Sequence, residues 1–278
     1  MKVSSLIKFV LVALVTLILI AYFDLPILVM IITAFKQRAD IFTPVPKWIF
    51  TPTLKNFADI FAGTTTMAEG TLAIRNSLLF VTISTVIAMF IGSLAAYGFS
   101  RFKFFGREDL LFFVLSQRFM PGIVIVLPMF VLYSSVGLRG TPHGLILLYI
   151  NAALPFVIWM MRSFFDEIPR EIDEAARLDG HSWFTIFIKF VLPVARNGFL
   201  ATFLFSFIFG WGEFLFALIL TTPESWTMPI AIVNSRVSSE ILWGQIAAYG
   251  VISIIPVFII AVALQKYLVR GMTLGAVK

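Results

Sequence analysis

The residues with chemical potential in this chain are few and widely spaced. Arg118 follows Gln117 and precedes Phe119-Met120-Pro121-Gly122 inside a long apolar stretch, and Glu213 stands two residues after Trp211 in another, at a Gly210-Trp211-Gly212 break. A guanidinium in such a stretch costs about 2.5 to 3.5 kcal/mol on insertion scales, so it should face a cavity or a partner. Arg118 can act as a donor fork for hydroxyls or an anionic group. Equally, it can serve a structural ion pair, with Glu213 or Asp24 as candidates, or sit near lipid headgroups. His143 and His181 are loop residues far apart in the chain, better read as solvated than as a metal pair, and there is no cysteine. With no nucleophile and base at one depth and no ligand cluster, no catalytic residue and no metal site are assigned.

A denser arrangement begins at Asp166. The run Asp-Glu-Ile-Pro-Arg-Glu-Ile-Asp-Glu-Ala-Ala-Arg-Leu-Asp-Gly-His-Ser-Trp-Phe is punctuated as two helices. Pro169 suits a first helical position, Asp166, Glu167, Glu171 and Asp173 complement a positive N-terminal end, and Gly180 suits a left-handed stop. Ile168, Ile172, Ala175, Ala176 and Leu178 give this first helix, of about ten residues, an apolar side, while Asp173 and Arg177 are predicted to be an exposed pair four apart. Ser182 can cap a second, more apolar helix through Leu192, ended by Pro193. Such an elbow can dock into a partner's groove or lie on a membrane surface as an interfacial helix, and periodicity does not separate the two.

These segments are positioned by a chain built for lipid. Of 278 residues 60% are apolar and 13% charged, and the mean hydropathy is +0.98, outside the range of a domain with a polar surface. The net charge of +6 falls between apolar blocks and not on one basic face, so it describes no nucleic-acid surface. Six apolar runs of spanning length are predicted, at 9–35, 78–97, 110–132, 144–161, 199–222 and 246–264, the first read as an uncleaved span. Bends are expected at Pro26, Pro121, Pro128, Pro155 and Pro256. An even number of spans places both termini on one side. That side carries most of the Lys and Arg, including Lys2, Lys8, Arg101, Lys103, Arg107, Arg162, Arg170, Arg177, Lys189, Arg196, Lys266, Arg270 and Lys278, and is therefore predicted to be cytoplasmic. The fold class expected is an all-α membrane protein, one domain over residues 1–278, with an external loop at 36–75 and a cytoplasmic loop at 166–196 between spans four and five. In the external loop Pro44, Pro46 and Pro52 predict an extended stretch, followed by a short helix from Leu54-Lys55-Asn56-Phe57. Trp48, Trp226 and Trp243 read as interface anchors.

Glu174-Ala175-Ala176, three residues, Gly180, nine residues, then Phe190-x-Leu192-Pro193 resembles the EAA loop of bacterial ABC importer permeases, where an apolar residue such as Ile commonly takes the position of Phe190. Arg75-Asn76-Ser77-Leu78, Ala95-Ala96-Tyr97-Gly98-Phe99-Ser100-Arg101-Phe102, Trp211-Gly212-Glu213-Phe214-Leu215-Phe216-Ala217-Leu218 and the tail from Arg270 to Lys278 are similar to the carbohydrate-uptake, maltose-permease-like branch of that family. The resemblance implies a six-span permease subunit that forms half of a translocation pathway for a sugar, polyol or sugar-derived solute. It implies an ATPase-coupling helix carried by Glu174, Ala175, Ala176, Arg177, Asp179 and Gly180. It also implies a homologous second permease, two ABC ATPase subunits that bind ATP and magnesium, and an extracytoplasmic solute-binding protein. The chain itself has no Gly-x-x-x-x-Gly-Lys-Ser/Thr loop and is expected to hold no cofactor. Gln117, Arg118, Asn151, Trp211 and Glu213 are the candidates for lining a sugar path, through amide hydrogen bonds and an aromatic face, with a structural or gating role favoured for Glu213. A self-sufficient secondary transporter is the competing class, but it would be expected to show related halves and more intramembrane carboxylates than Asp24 and Glu213.

Overall fold

The computed structural model describes residues 3–62, 70–237 and 240–273. Lys2, part of the 36–75 loop and the end of the tail, Leu274 to Lys278, lie outside the described residues. Among the described residues the regular structure is helical apart from a short antiparallel ladder, Arg236–Val237 against Glu240–Ile241. In order the helices are α1 (Val3–Ala34), α2 (Arg38–Ile41), α3 (Lys55–Ala62), α4 (Gly70–Arg101), α5 (Arg107–Ser116), α6 (Gly122–Ser135), α7 (Pro142–Asp166), α8 (Glu171–Leu178), α9 (Trp183–Ile186), α10 (Leu192–Val194), α11 (Arg196–Trp211), α12 (Leu215–Leu220), α13 (Met228–Val233) and α14 (Trp243–Thr273).

Among the described residues four helical stretches are long and apolar enough to cross a membrane: Lys8–Ala34, Gly70–Arg101, Pro142–Asp166 and Trp243–Tyr267. Two further candidates are bent pairs, Arg107–Phe119 with Gly122–Ser135 at 95° and Trp183–Val194 with Arg196–Trp211 at 84°. The first bend falls at Pro121, whose ring cannot continue the preceding helix. Through Pro26, Pro128, Pro155 and Pro256 the helices continue unbroken.

The chain divides into two compact units. One comprises residues 1–71 and 231–255. In it the Asn56 side chain donates to the carbonyls of Ala34 and Lys36, both at 2.9 Å, satisfying acceptors that the end of α1 leaves open. Phe35 and Phe57 pack with ring centroids 5.0 Å apart. The short helix expected after Leu54 is α3. Large exposed side chains cover α1 from Phe9 to Ile31, as a lipid-facing helix requires.

The second unit, residues 72–230 and 256–278, carries the candidate site. Its helices approach closely where side chains are small. A Cβ on Gly92 would lie 2.6 Å from Val157, and one on Gly198 would overlap the ring of Phe164. Asn76 donates to the carbonyls of Glu224 and Trp226 at 3.0 Å each, and Ser77 Oγ accepts the Met228 amide at 2.7 Å, so the start of α4 is tied to the loop before α13.

Candidate functional site

Within 166–196 the glycine stop and the serine cap are realised. Helix α8 ends in paired bonds, Gly180 N–H to Arg177 O at 3.0 Å and His181 N–H to Ala176 O at 3.1 Å. Gly180 has φ +84°, and this pattern needs a left-handed residue just past the helix, where a side chain is disfavoured. Ser182 then caps α9 by accepting the Thr185 amide at 3.3 Å. Two expectations are corrected. Pro169 lies ahead of the helix, which starts at Glu171. Pro193 does not end the second helix, which widens into a π segment over Phe187–Val191 and runs on to Val194. A proline lacks the N–H that would bond back four residues, and local widening is one way a helix accommodates it.

The larger correction concerns Asp173. Instead of facing solvent with Arg177, it is 3% exposed and paired with Arg101 at the end of α4, Nε to Oδ2 at 3.0 Å. Tyr97 donates its hydroxyl to the other carboxylate oxygen. Arg101 also donates to the carbonyls of Phe165 at 3.0 Å and Ile168 at 3.1 Å and to Ser100 Oγ at 3.3 Å. Phe165 and Ile168 lie at and just past the end of α7, where carbonyls lack helical partners. One buried guanidinium therefore joins the ends of α4 and α7 to α8. Arg170 adds a bond to the Ser100 carbonyl at 2.9 Å, and Ser100 donates to Asp166 at 2.6 Å. Arg177 turns outward, donates to the His181 carbonyl at 2.9 Å, and lies 5.1 Å over the Trp183 ring.

The apolar side expected of α8 is thus split. Ile168 and Ala176 pack in a cluster with Met89, Val157, Phe165 and Phe187, whereas Glu174, Ala175, Asp179 and Gly180 are exposed and Leu178 is 90% exposed. His181 packs against Phe190 in a tilted arrangement, 5.3 Å between centroids.

The predicted pathway residues divide as well. Arg118, Glu213 and Tyr149 line one open cleft of about 580 Å³ with Phe156, Phe209 and Ser206. Gln117 and Asn151 line a neighbouring hollow that also reaches Arg118. Trp211 lies in neither; it is 7% exposed and stacked on Phe207 at 5.7 Å. Glu213 accepts the amides of Phe216 at 2.9 Å and Ala217 at 3.1 Å, closing the open N-terminal end of α12 after the Gly212 break. That geometry gives Glu213 a structural task. Arg118 lies over the rings of Phe209 at 5.0 Å and Phe156 at 5.9 Å. Among the described residues, no group of three or more His, Asp or Glu side chains could hold a metal ion.

Sequence reasoning missed Tyr97, Arg101 and Asp173 as a unit. The available signal was weak: an Arg closing a long apolar helix, and an acidic residue one helical turn ahead of Ala176.

Comparison with known proteins is consistent with this architecture. The trehalose transport system permease protein SugB of Mycobacterium tuberculosis is 37% identical over 82% of this chain and 83% of its own length. The trehalose/maltose transport system permease protein MalG of Thermococcus litoralis is 34% identical over 91% of each. A solved bacterial ABC transporter that imports the acidic polysaccharide alginate shares the fold, with a TM-score of 0.80, 21% identity and coverage of 96% of this chain and 98% of that one. Residues 88–274 match the family of binding-protein-dependent transport system inner membrane components, and the chain belongs to it.

Proposed function

We propose that this permease forms half of the translocation pathway of an importer for a sugar, polyol or sugar-derived solute, and that residues 1–278 act as one transmembrane domain with both termini in the cytoplasm. In this reading six spans cross the bilayer, near 9–35, 78–97, 110–132, 144–161, 199–222 and 246–264, and the loop 166–196 stays on the cytoplasmic side. A homologous permease supplies the other half, an extracytoplasmic binding protein delivers the solute, and two ATPase subunits bind ATP and magnesium. The sugar names of the relatives support the solute class.

Helix α8 is the coupling helix, with Glu174, Ala175, Arg177, Asp179 and Gly180 at the ATPase contact; Ala176, expected among them, is instead packed beneath them in the core. The observation that carries this reading is the two-sidedness of α8. One side is fixed to α4 and α7 through Asp173 and Arg101, and the other presents Ala175 and a 90% exposed Leu178 to whatever lies beyond. An exposed leucine at the tip of a well-fixed helix fits a groove on a partner. A clamp this rigid would pass a push on α8 directly to α4 and α7. No substrate chemistry occurs on the chain; its task is to change shape.

The test is co-purification. The tagged permease should bring down a second permease and an ATPase, and Leu178→Glu should release the ATPase while leaving the permease pair intact. An ATPase that stays bound to the Leu178→Glu variant, or one that never associates, contradicts the assignment.

A further inference from the structure

Arg118 stands out by what surrounds it. Its guanidinium lies over two aromatic faces, Phe209 and Phe156, and makes one long approach, 3.5 Å, to the Ala152 carbonyl. Among the described residues no carboxylate pairs with it. Glu213 lines the same cleft, but both its oxygens accept backbone amides of α12. The Ser206 hydroxyl, 2% exposed and without a hydrogen-bond partner, also lines this cleft. In the adjoining hollow the amides of Gln117 and Asn151 flank the same arginine.

Guanidinium carries five N–H donors in a planar fork and stays charged. Once a pathway closes over it and water leaves, that charge needs a counter-charge. Around it are aromatic faces suited to the apolar side of a sugar ring, and amide and hydroxyl groups suited to ring hydroxyls.

We propose that Arg118 marks a solute site selective for a sugar or polyol that carries one anionic group, a carboxylate, sulfonate or phosphate ester. Arg118 holds the anion bidentately, Phe156 and Phe209 face the ring, and Gln117, Asn151 and Ser206 reach its hydroxyls. This rests on the importer reading above and narrows its solute.

The experiment uses the complete transporter with its binding protein, reconstituted in vesicles of neutral phosphatidylcholine. Uptake of glucuronate, glycerol 3-phosphate and 6-deoxy-6-sulfoglucose is compared with that of glucose and glycerol. ATP-driven, saturable uptake of at least one anionic member in preference to its neutral counterpart is expected. Arg118→Gln should raise the KM for that solute about tenfold or more, and Arg118→Lys, which keeps charge but loses the fork, by less. Preference for a neutral member, failure to carry any anionic one, or an unchanged KM in Arg118→Gln overturns the inference. So does loss of the second permease in both variants, which would make the counter-charge a partner carboxylate. A requirement for phosphatidylglycerol would assign the anion to a lipid headgroup and also overturn it. In each of these cases an ATPase still co-purifies, whereas failure of the importer reading removes the ATPase itself.

Discussion

Arg101 and Asp173, 72 residues apart in sequence, form an ion pair in which both side chains are 4% exposed. Three bonds from one guanidinium then link the end of α4 to α8 and to the carbonyls at and just past the end of α7. The pair lies out of solvent, and the carboxylate is held by Tyr97 as well as by Arg101.

Breaking this joint from one side should be costly, since an unpaired buried charge remains. Asp173→Ala is expected to lose about 3 to 5 kcal/mol of local stability, read as a lower thermal unfolding midpoint of the purified complex. The double variant Arg101→Met with Asp173→Leu should recover most of that midpoint, yet leave ATP hydrolysis poorly linked to uptake. Normal coupling in the double variant would show that the pair only stabilises.

At Gly180 the space is open, with no atom within 4 Å of an added Cβ, and only φ +84° constrains the residue. Conformation, not size, should therefore rank substitutions. Gly180→Val is expected to cost more than the roughly 1–2 kcal/mol typical of a left-handed side chain, and Gly180→Asn less. Comparing uptake per ATP hydrolysed in the two variants checks the order; equal damage from Asn and Val would point to a side-chain clash with a partner.

Glu213 should behave as a helix cap. Glu213→Ala leaves two amides of α12 without acceptors and should cost about 1–3 kcal/mol. Glu213→Gln keeps one acceptor oxygen and should cost less. Thermal unfolding of the complex measures both, and the preference among solutes should not move. A changed preference with unchanged stability would return Glu213 to the solute path.

The contact of Gly198 with Phe164 leaves no room for a methyl group. Gly198→Ala should lower folded yield by an overpacking penalty of about 1–3 kcal/mol, and Phe164→Leu in the same chain should restore part of it. Detergent-stable yield on gel filtration is the readout.

Much of the local structure was legible. The αL glycine at 180, the Ser182 cap and the break at Pro121 each follow from interactions within a turn or two, so residue type and spacing suffice. Pairing was not legible. Spacing alone joined Asp173 to Arg177, its neighbour one turn on, because the helix rule for i and i+4 knows nothing of α4. For Glu213 a structural or gating role was legible but its partners were not: they are the amides of a helix whose start the apolar pattern concealed.

The residues by themselves determined that this chain lives in lipid, where its long apolar helices run, and that a capped elbow interrupts them at 166–196. Apolar run length and terminal capping are properties of contiguous sequence, and they survive any later packing. Only the tertiary structure decided which side of α8 is fixed and which is open, that Trp211 packs away from the cleft, and that Arg118 faces two rings with no ion pair among the described residues. Those outcomes depend on which distant groups meet once water is excluded, because a buried charge accepts the partner that can follow it out of solvent.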